Sequence, residues 1–264
     1  MALQLQGATQ LLLAGFTLVL ADLNGQGYTQ TESCDTSGST TWTFTDNDGD
    51  EGLSQNDSWV FMHDQCVENS DVTNGSWTIN FVEFDPDTTT PADYDVLEFI
   101  TDLTGTSFGD PYTFRGTYTW DSSTPVGIVK TNIISSDSIV TTLNGESDST
   151  LSDFYFSTVK DDSTQAETIE FSASISDAVL ANYQVSSQAP LTGIDLPMLG
   201  GSEMYYEGEF TVVLEQGSVN LIALSATDVR INVDLDGDGV VDETFDSTWE
   251  ALTQEYLQLI GFGF

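Results

Sequence analysis

The sequence predicts a mainly β protein, an antiparallel β-sandwich or open β-barrel with a packed N-terminal helix and a short C-terminal helix. Three observations carry this. Apolar residues recur two apart through most of the chain, as half-buried strands require. Pairs containing Gly, Asn or Asp punctuate those runs at turn positions. Helical spacing is confined to the two ends. A single β-rich domain over residues 1–264 is expected; the alternative is an N-terminal half, 1–125, holding both cysteines, and a C-terminal half, 126–264.

Taken in order, Met1 to Asp22 contains the apolar run Leu11 to Ala21 with no Lys or Arg ahead of it. A secretory signal needs a basic start, and the run is short of the roughly 20 residues that cross a bilayer. Ala8, Leu12, Phe16 and Val19 instead fall at helical spacing, so an amphipathic helix packed on the body is expected, with any export signal outside these residues. Strand patterns follow at Trp42 and Phe44, Trp59 and Phe61, then Trp77, Ile79 and Phe81. Tyr112, Phe114, Gly116, Tyr118 and Trp120 give one strand an almost wholly aromatic face. The pattern resumes at Phe154 and Phe156, Ile169 to Ile175, Phe210 to Leu214, Val219 to Ala223 and Val229 to Val233. Turns are expected at Asp48-Gly49, Asn74-Gly75, Asn144-Gly145 and Gln216-Gly217, and a long connection over Gln188 to Ser202. A weaker break lies near Asp121 to Pro125, and Trp249, Leu252, Tyr256 and Ile260 predict a closing helix.

Charge narrows the function classes. Forty-three acidic residues against four basic ones give a formal net charge of -39. Such a field repels nucleic acid phosphates and anionic membrane surfaces, and attracts cations and basic proteins. With 11% aromatic residues the chain is no solvated acidic tail, so the acid coats a folded surface. A lysine-poor acidic surface fits a marine or high-salt setting, where the Debye length falls to about 3 Å at 1 M salt. Mimicry of nucleic acid charge fits less well, given so many Ser, Thr and Gly.

Two segments carry ion chemistry. Val233 to Glu243 places Asp234, Asp236 and Asp238 at alternate positions, turns on Gly239, and offers Asp242 as a further ligand. Hard oxygen donors at that spacing suit a structural calcium loop capping a strand. A helix-loop-helix calcium sensor wants Glu at its twelfth position, where Phe245 stands, which argues against a regulatory switch. Asp46, Asp48 and Asp50 repeat the spacing between Thr45 and Asp57, without a glycine directly after the third aspartate. Cys34 and Cys66, the only cysteines, are read as one disulfide, which favours an oxidising compartment. His63, the only histidine, excludes multi-histidine metal centres and is expected to be structural, close to Cys66.

The Cys-bounded hairpin with its Asp46-Asn-Asp-Gly-Asp50 turn, the later Val229 to Gly239 run, and Thr248-Trp-Glu-Ala-Leu252 resemble poorly characterised exported bacterial proteins, many of them lipoproteins. The likeness covers residues 30–85 and 190–252. It implies an envelope or secreted β-rich protein and transfers no catalytic residues. The expected function is a non-catalytic surface, matrix or binding component, stabilised by calcium, extracytoplasmic and capable of self-assembly, with no direct membrane span. Two alternatives stand beside it. Tyr112, Phe114, Tyr118 and Trp120 read first as a core stripe and alternatively as a ligand face in a polysaccharide-binding or glycoside-active protein, and the acidic surface could inhibit a basic partner. Neither a phosphate loop nor a Gly-x-Ser-x-Gly elbow occurs, and Asn56-Asp-Ser58 and Asn74-Gly-Ser76 match the glycosylation pattern.

Overall fold

The computed structural model describes residues 28–49, 53–68, 70–84, 94–107, 109–123, 129–143, 149–177, 181–194 and 204–252. They build one antiparallel sheet whose strands follow chain order without a crossover. Its strands are β1 (Tyr28–Ser33), β2 (Ser37–Thr45), β3 (Ser58–Glu68), β4 (Asp71–Glu83), β5 (Tyr94–Ser107), β6 (Asp110–Ser123) and β7 (Val129–Leu143). The meander continues through β8 (Ser149–Asp161), β9 (Ala166–Asp177), β10 (Ala181–Ile194), β11 (Met204–Leu214), β12 (Gly217–Ala223), β13 (Asp228–Asp234) and β14 (Glu243–Thr248). Among the described residues there is no second sheet, so the open meander replaces the sandwich alternative.

Register explains why the apolar residues must sit two apart. Residues directly opposite each other in an antiparallel pair share a face. Tyr28, Phe44, Trp59, Ile79, Phe99 and Tyr118 are successive partners across β1 to β6 and form one row. A second row on the same face runs Phe81, Leu97, Trp120, Ile134, Phe156 and Phe171 across β4 to β9. The Phe171 ring then meets Phe210 at 5.5 Å, and Leu221, Ile231 and Phe245 carry the row to β14. The other face reads Thr43, Val60, Thr78, Ile100, Thr117, Ser138, Ser152 and Ser174, mostly hydroxyls. One face is core and one is wet, the usual condition of an antiparallel sheet.

The core is densest at the N-terminal side. Phe44, Trp59, Ile79, Phe81, Leu97, Phe99, Tyr118, Ile139 and Leu151 are buried and pack as one cluster. Leu53, from the β2–β3 loop, joins it. Phe61 stacks on Trp77 at 4.2 Å and Phe99 on Tyr118 at 4.8 Å, offset from the like-charged ring faces that a perfect sandwich would oppose. Burial pushes the Tyr118 hydroxyl up to about 12, so the phenol stays neutral in the core.

The structure corrects two local expectations. Asn74 and Gly75 lie inside β4, not at a turn. Asn74 Oδ1 accepts hydrogen bonds from the Gln65 backbone and side-chain nitrogens, at 2.9 and 2.7 Å, where β3 bulges between His63 and Cys66. Gly75 takes φ 104° there, and a Cβ would stand 2.0 Å from the Asp102 carbonyl oxygen. The pair therefore serves a bulge rather than a hairpin. Pro190 likewise lies within β10, which absorbs it through register shifts between Ser187 and Thr192, so Gln188 to Ile194 of the connection expected over Gln188 to Ser202 are strand, and its remainder up to Ser202 lies outside the described residues.

Pairing of β6 with β7 carries the sheet past the break expected near Asp121 to Pro125. The N-terminal helix and the Asn144-Gly145 turn lie outside the described residues, as does the predicted closing helix beyond its first turn at 249–252. No helix among the described residues is long and apolar enough to cross a membrane.

Cys34 and Cys66 form a disulfide with Cα atoms 5.4 Å apart, fastening the β1–β2 turn to the end of β3. The bond spans 32 positions, and in the chain-entropy model it contributes about 3–4 kcal/mol. Replacing both residues (Cys34→Ser, Cys66→Ser) is expected to lower stability by roughly that amount in urea unfolding. A loss within experimental error would show that the sheet alone holds this edge.

Candidate functional site

The β13–β14 loop is organised by its own carboxylates. Asp234, buried at the end of β13, accepts hydrogen bonds from the Gly237 and Gly239 backbone nitrogens at 2.7 and 3.0 Å. Gly237 and Gly239 both adopt positive φ, 74° and 83°, which lets the chain wrap around Asp234. Asp236 accepts from Asp238 N and Asp238 from Val240 N, while Asp242 Oδ2 accepts from Leu235 N at 2.8 Å. Asp242 N in turn donates to the Val233 carbonyl, closing the loop at its base.

Carboxylate oxygens of Asp234, Asp236 and Asp242 lie within 4.8 Å of one another. The sequence reading placed Asp238 in this group and Asp242 as an addition. The structure gathers Asp242 instead, because the backbone bonds at the loop base bring it back beside Leu235, and the Asp238 carboxylate turns to Val240.

The β2–β3 loop holds a second group. Asp46, Asp48 and Asp57 bring carboxylate oxygens within 4.8 Å of one another, while Asp50 lies outside the described residues. Asp57 is fully buried and ties the loop together. Its Oδ1 accepts from Asn47 N at 2.9 Å and its Oδ2 from Ser54 N at 2.7 Å. Asp46 accepts from Gly49 N, and Asp48 from the Ser54 hydroxyl. Burial raises the Asp57 pKa above 3.8, opposed by the two backbone donors and reinforced by the negative charge of Asp46 and Asp48.

Sequence reasoning missed Asp57 as a group member, having read Asn56-Asp57-Ser58 only as a glycosylation match. The available signal was its position, immediately before the strand that returns from the loop.

Both groups offer only carboxylate oxygens, the hard donors that calcium or magnesium take and softer metals do not prefer. In a meander, loops leaving even-numbered strands lie at one end and those leaving odd-numbered strands at the other. The two acidic loops therefore sit at opposite ends of the strands, the first one strand in from the β1 edge and the second adjoining the β14 edge strand itself. They are separate sites, not halves of one.

The remaining candidates resolve into structure. Tyr118 belongs to the core cluster, and Phe114 and Trp120 pack against it. Tyr112 lies beside Gly105 and its hydroxyl reaches Thr73 at 3.1 Å, a ring covering a glycine between two strands. His63 Nδ1 bonds the Thr40 hydroxyl at 2.9 Å, and that hydroxyl lies 3.5 Å from Cys66 Sγ. Burial lowers the His63 pKa, which keeps the ring neutral beside the disulfide.

A shallow groove of about 340 Å³ lies across β8 to β11, lined by Ser152, Ser174, Gln184 and Glu215 together with Ile175, Tyr183 and Leu214. No family model matches the chain, and neither a curated protein nor a solved structure shows significant similarity to it.

Because the folded pKa of Asp57 is raised, the native state binds its proton more readily than the unfolded chain does. Its contribution to stability is then greatest below pH 3.8 and is lost as pH rises through the folded pKa. The stability difference between wild type and Asp57→Asn should therefore fall across that window in urea titrations. A difference that rises with pH would mean the backbone donors outweigh burial.

Proposed function

We propose that this chain is an exported, non-catalytic protein of the cell surface or extracellular matrix, with a structural or binding role and calcium as a structural ion. The observation that carries the reading is the convergence of Asp234, Asp236 and Asp242, three carboxylates held within 4.8 Å at the end of a strand. Such a group costs repulsion in a chain of net charge -39 unless a cation neutralises it. The backbone bonds that position these carboxylates leave oxygen lone pairs available, since each carboxylate offers about four acceptor sites. The Cys34–Cys66 disulfide supports an oxidising setting, where calcium is plentiful and thiols stay paired.

Calcium is expected to raise the melting temperature at fixed ionic strength, and Asp236→Asn with Asp242→Asn to remove most of the gain. The parallel variant Asp46→Asn with Asp48→Asn separates the second loop from the first. Equal stabilisation of wild type and both variants by calcium would reduce the loops to solvated acidic turns.

The groove on β8 to β11 favours a second reading, a glycan-binding protein, because Asn182, Gln184 and Glu215 place polar groups beside Tyr183, Ile175 and Leu214, a mixed lining that suits the hydroxyls and the apolar face of a sugar ring. A glycan array should then show binding that Asn182→Ala with Gln184→Ala abolishes. Signal unaffected by that variant would remove the groove from consideration.

A further inference from the structure

We infer that the two edges of the sheet, β14 of one copy and β1 of the next, pair head to tail and join copies of this chain into an open-ended assembly when salt screens their charge. This deepens the structural role proposed above and is independent of ion binding at the loops. Among the described residues, β1 and β14 each pair with a strand on one side only and are exposed along nearly their whole length. Their outer backbone groups are the unpaired row that another strand completes.

Strand parity makes the second copy a fitting occupant. The fourteen described strands alternate in direction, so β14 runs opposite to β1. A copy displaced along the sheet then presents its β1 antiparallel to β14, continuing the alternation across the seam. An odd number of strands would have made the same step parallel. The faces agree as well, because Tyr28 and Phe245 both belong to the apolar face. Tyr28 begins the row through Phe44 and Trp59, and Phe245 ends the row through Leu221 and Ile231. Both are exposed, at 45% and 49%, where their rows run out of neighbours. Pairing would give each row its next member.

Charge supplies the condition. At a net charge of -39 per copy, association in dilute salt is opposed, and molar salt shortens the reach of that repulsion to about 3 Å. The seam itself carries few acids. β1 contributes Glu32, while β14 contributes Glu243 and Asp246, the latter already paired with Arg230 at 2.8 Å. A two-fold β14 to β14 contact would bring Glu243 and Asp246 of both copies into one seam and leave both β1 edges uncovered. Head-to-tail pairing covers both edges of every interior copy, and a heterologous contact grows into a ring or a filament according to its rotation.

Sedimentation velocity of the full chain tests this in low-salt buffer and in molar sodium chloride. The wild type should be monomeric in the first and form a concentration-dependent series of multimers in the second. Phe245→Glu and Tyr28→Glu should each hold the protein near monomer in high salt with unchanged circular dichroism. Mixed into wild type, Phe245→Glu keeps one competent edge and should shorten the multimers in proportion to its fraction. A monomer at every salt concentration, or a series that stops at a dimer, would overturn the inference. Calcium-dependent melting of a protein that never assembles would sink it while leaving the ion sites standing.

Discussion

Everything in this molecule depends on register between neighbouring strands. A sheet that pairs only sequential strands has no crossover to correct an error, so a slip of one residue in any hairpin would turn all later side chains to the wrong face. Direct partnership of aromatic and branched residues, Phe44 on Trp59 on Ile79 on Phe99, opposes such a slip at each step. The bulges at Gln65, in β8 and in β10 are compatible with this because they shift the ladder while returning the apolar residues to the same side.

The surface follows a different constraint. Arg115 opposite Asp102 and Arg230 opposite Asp246 are cross-strand ion pairs on the wet face, and Lys130 reaches Asp162. Exposed pairs of this kind add little stability. Their effect is local relief in a field that four cations cannot neutralise, which leaves solution ions as the main counter-charge. The sheet is thus held by its apolar face, while the charge of the exterior is balanced mainly by ions in solution.

Period-two patterning made the strands legible, since it survives in each hairpin independently: Trp42 and Phe44, or Val229 and Ile231, announce their face with no knowledge of partners. The number of layers was not legible, because a sandwich and an open meander demand the same alternation. Asn74-Gly75 misled for a related reason. A glycine with positive φ serves a hairpin or a bulge equally, and only the partner strand decides. At the ion loops, Asp234, Asp236, Asp46 and Asp48 were visible as a spacing and Asp242 as a nearby further acid, whereas Asp57 enters through backbone hydrogen bonds that spacing does not encode.

Pairing confined to sequence neighbours also makes the sheet nearly one-dimensional, like a stacked-repeat protein. Unzipping in such an array starts at its ends, where a strand is held on one flank, and the interior is protected by distance from those ends. The acidic loops stand at β2–β3 and β13–β14, next to the two edges, and the disulfide fastens the β2–β3 hairpin at its other end. Cations held there would act as terminal caps, slowing fraying of the outer hairpins far more than they would strengthen the aromatic middle.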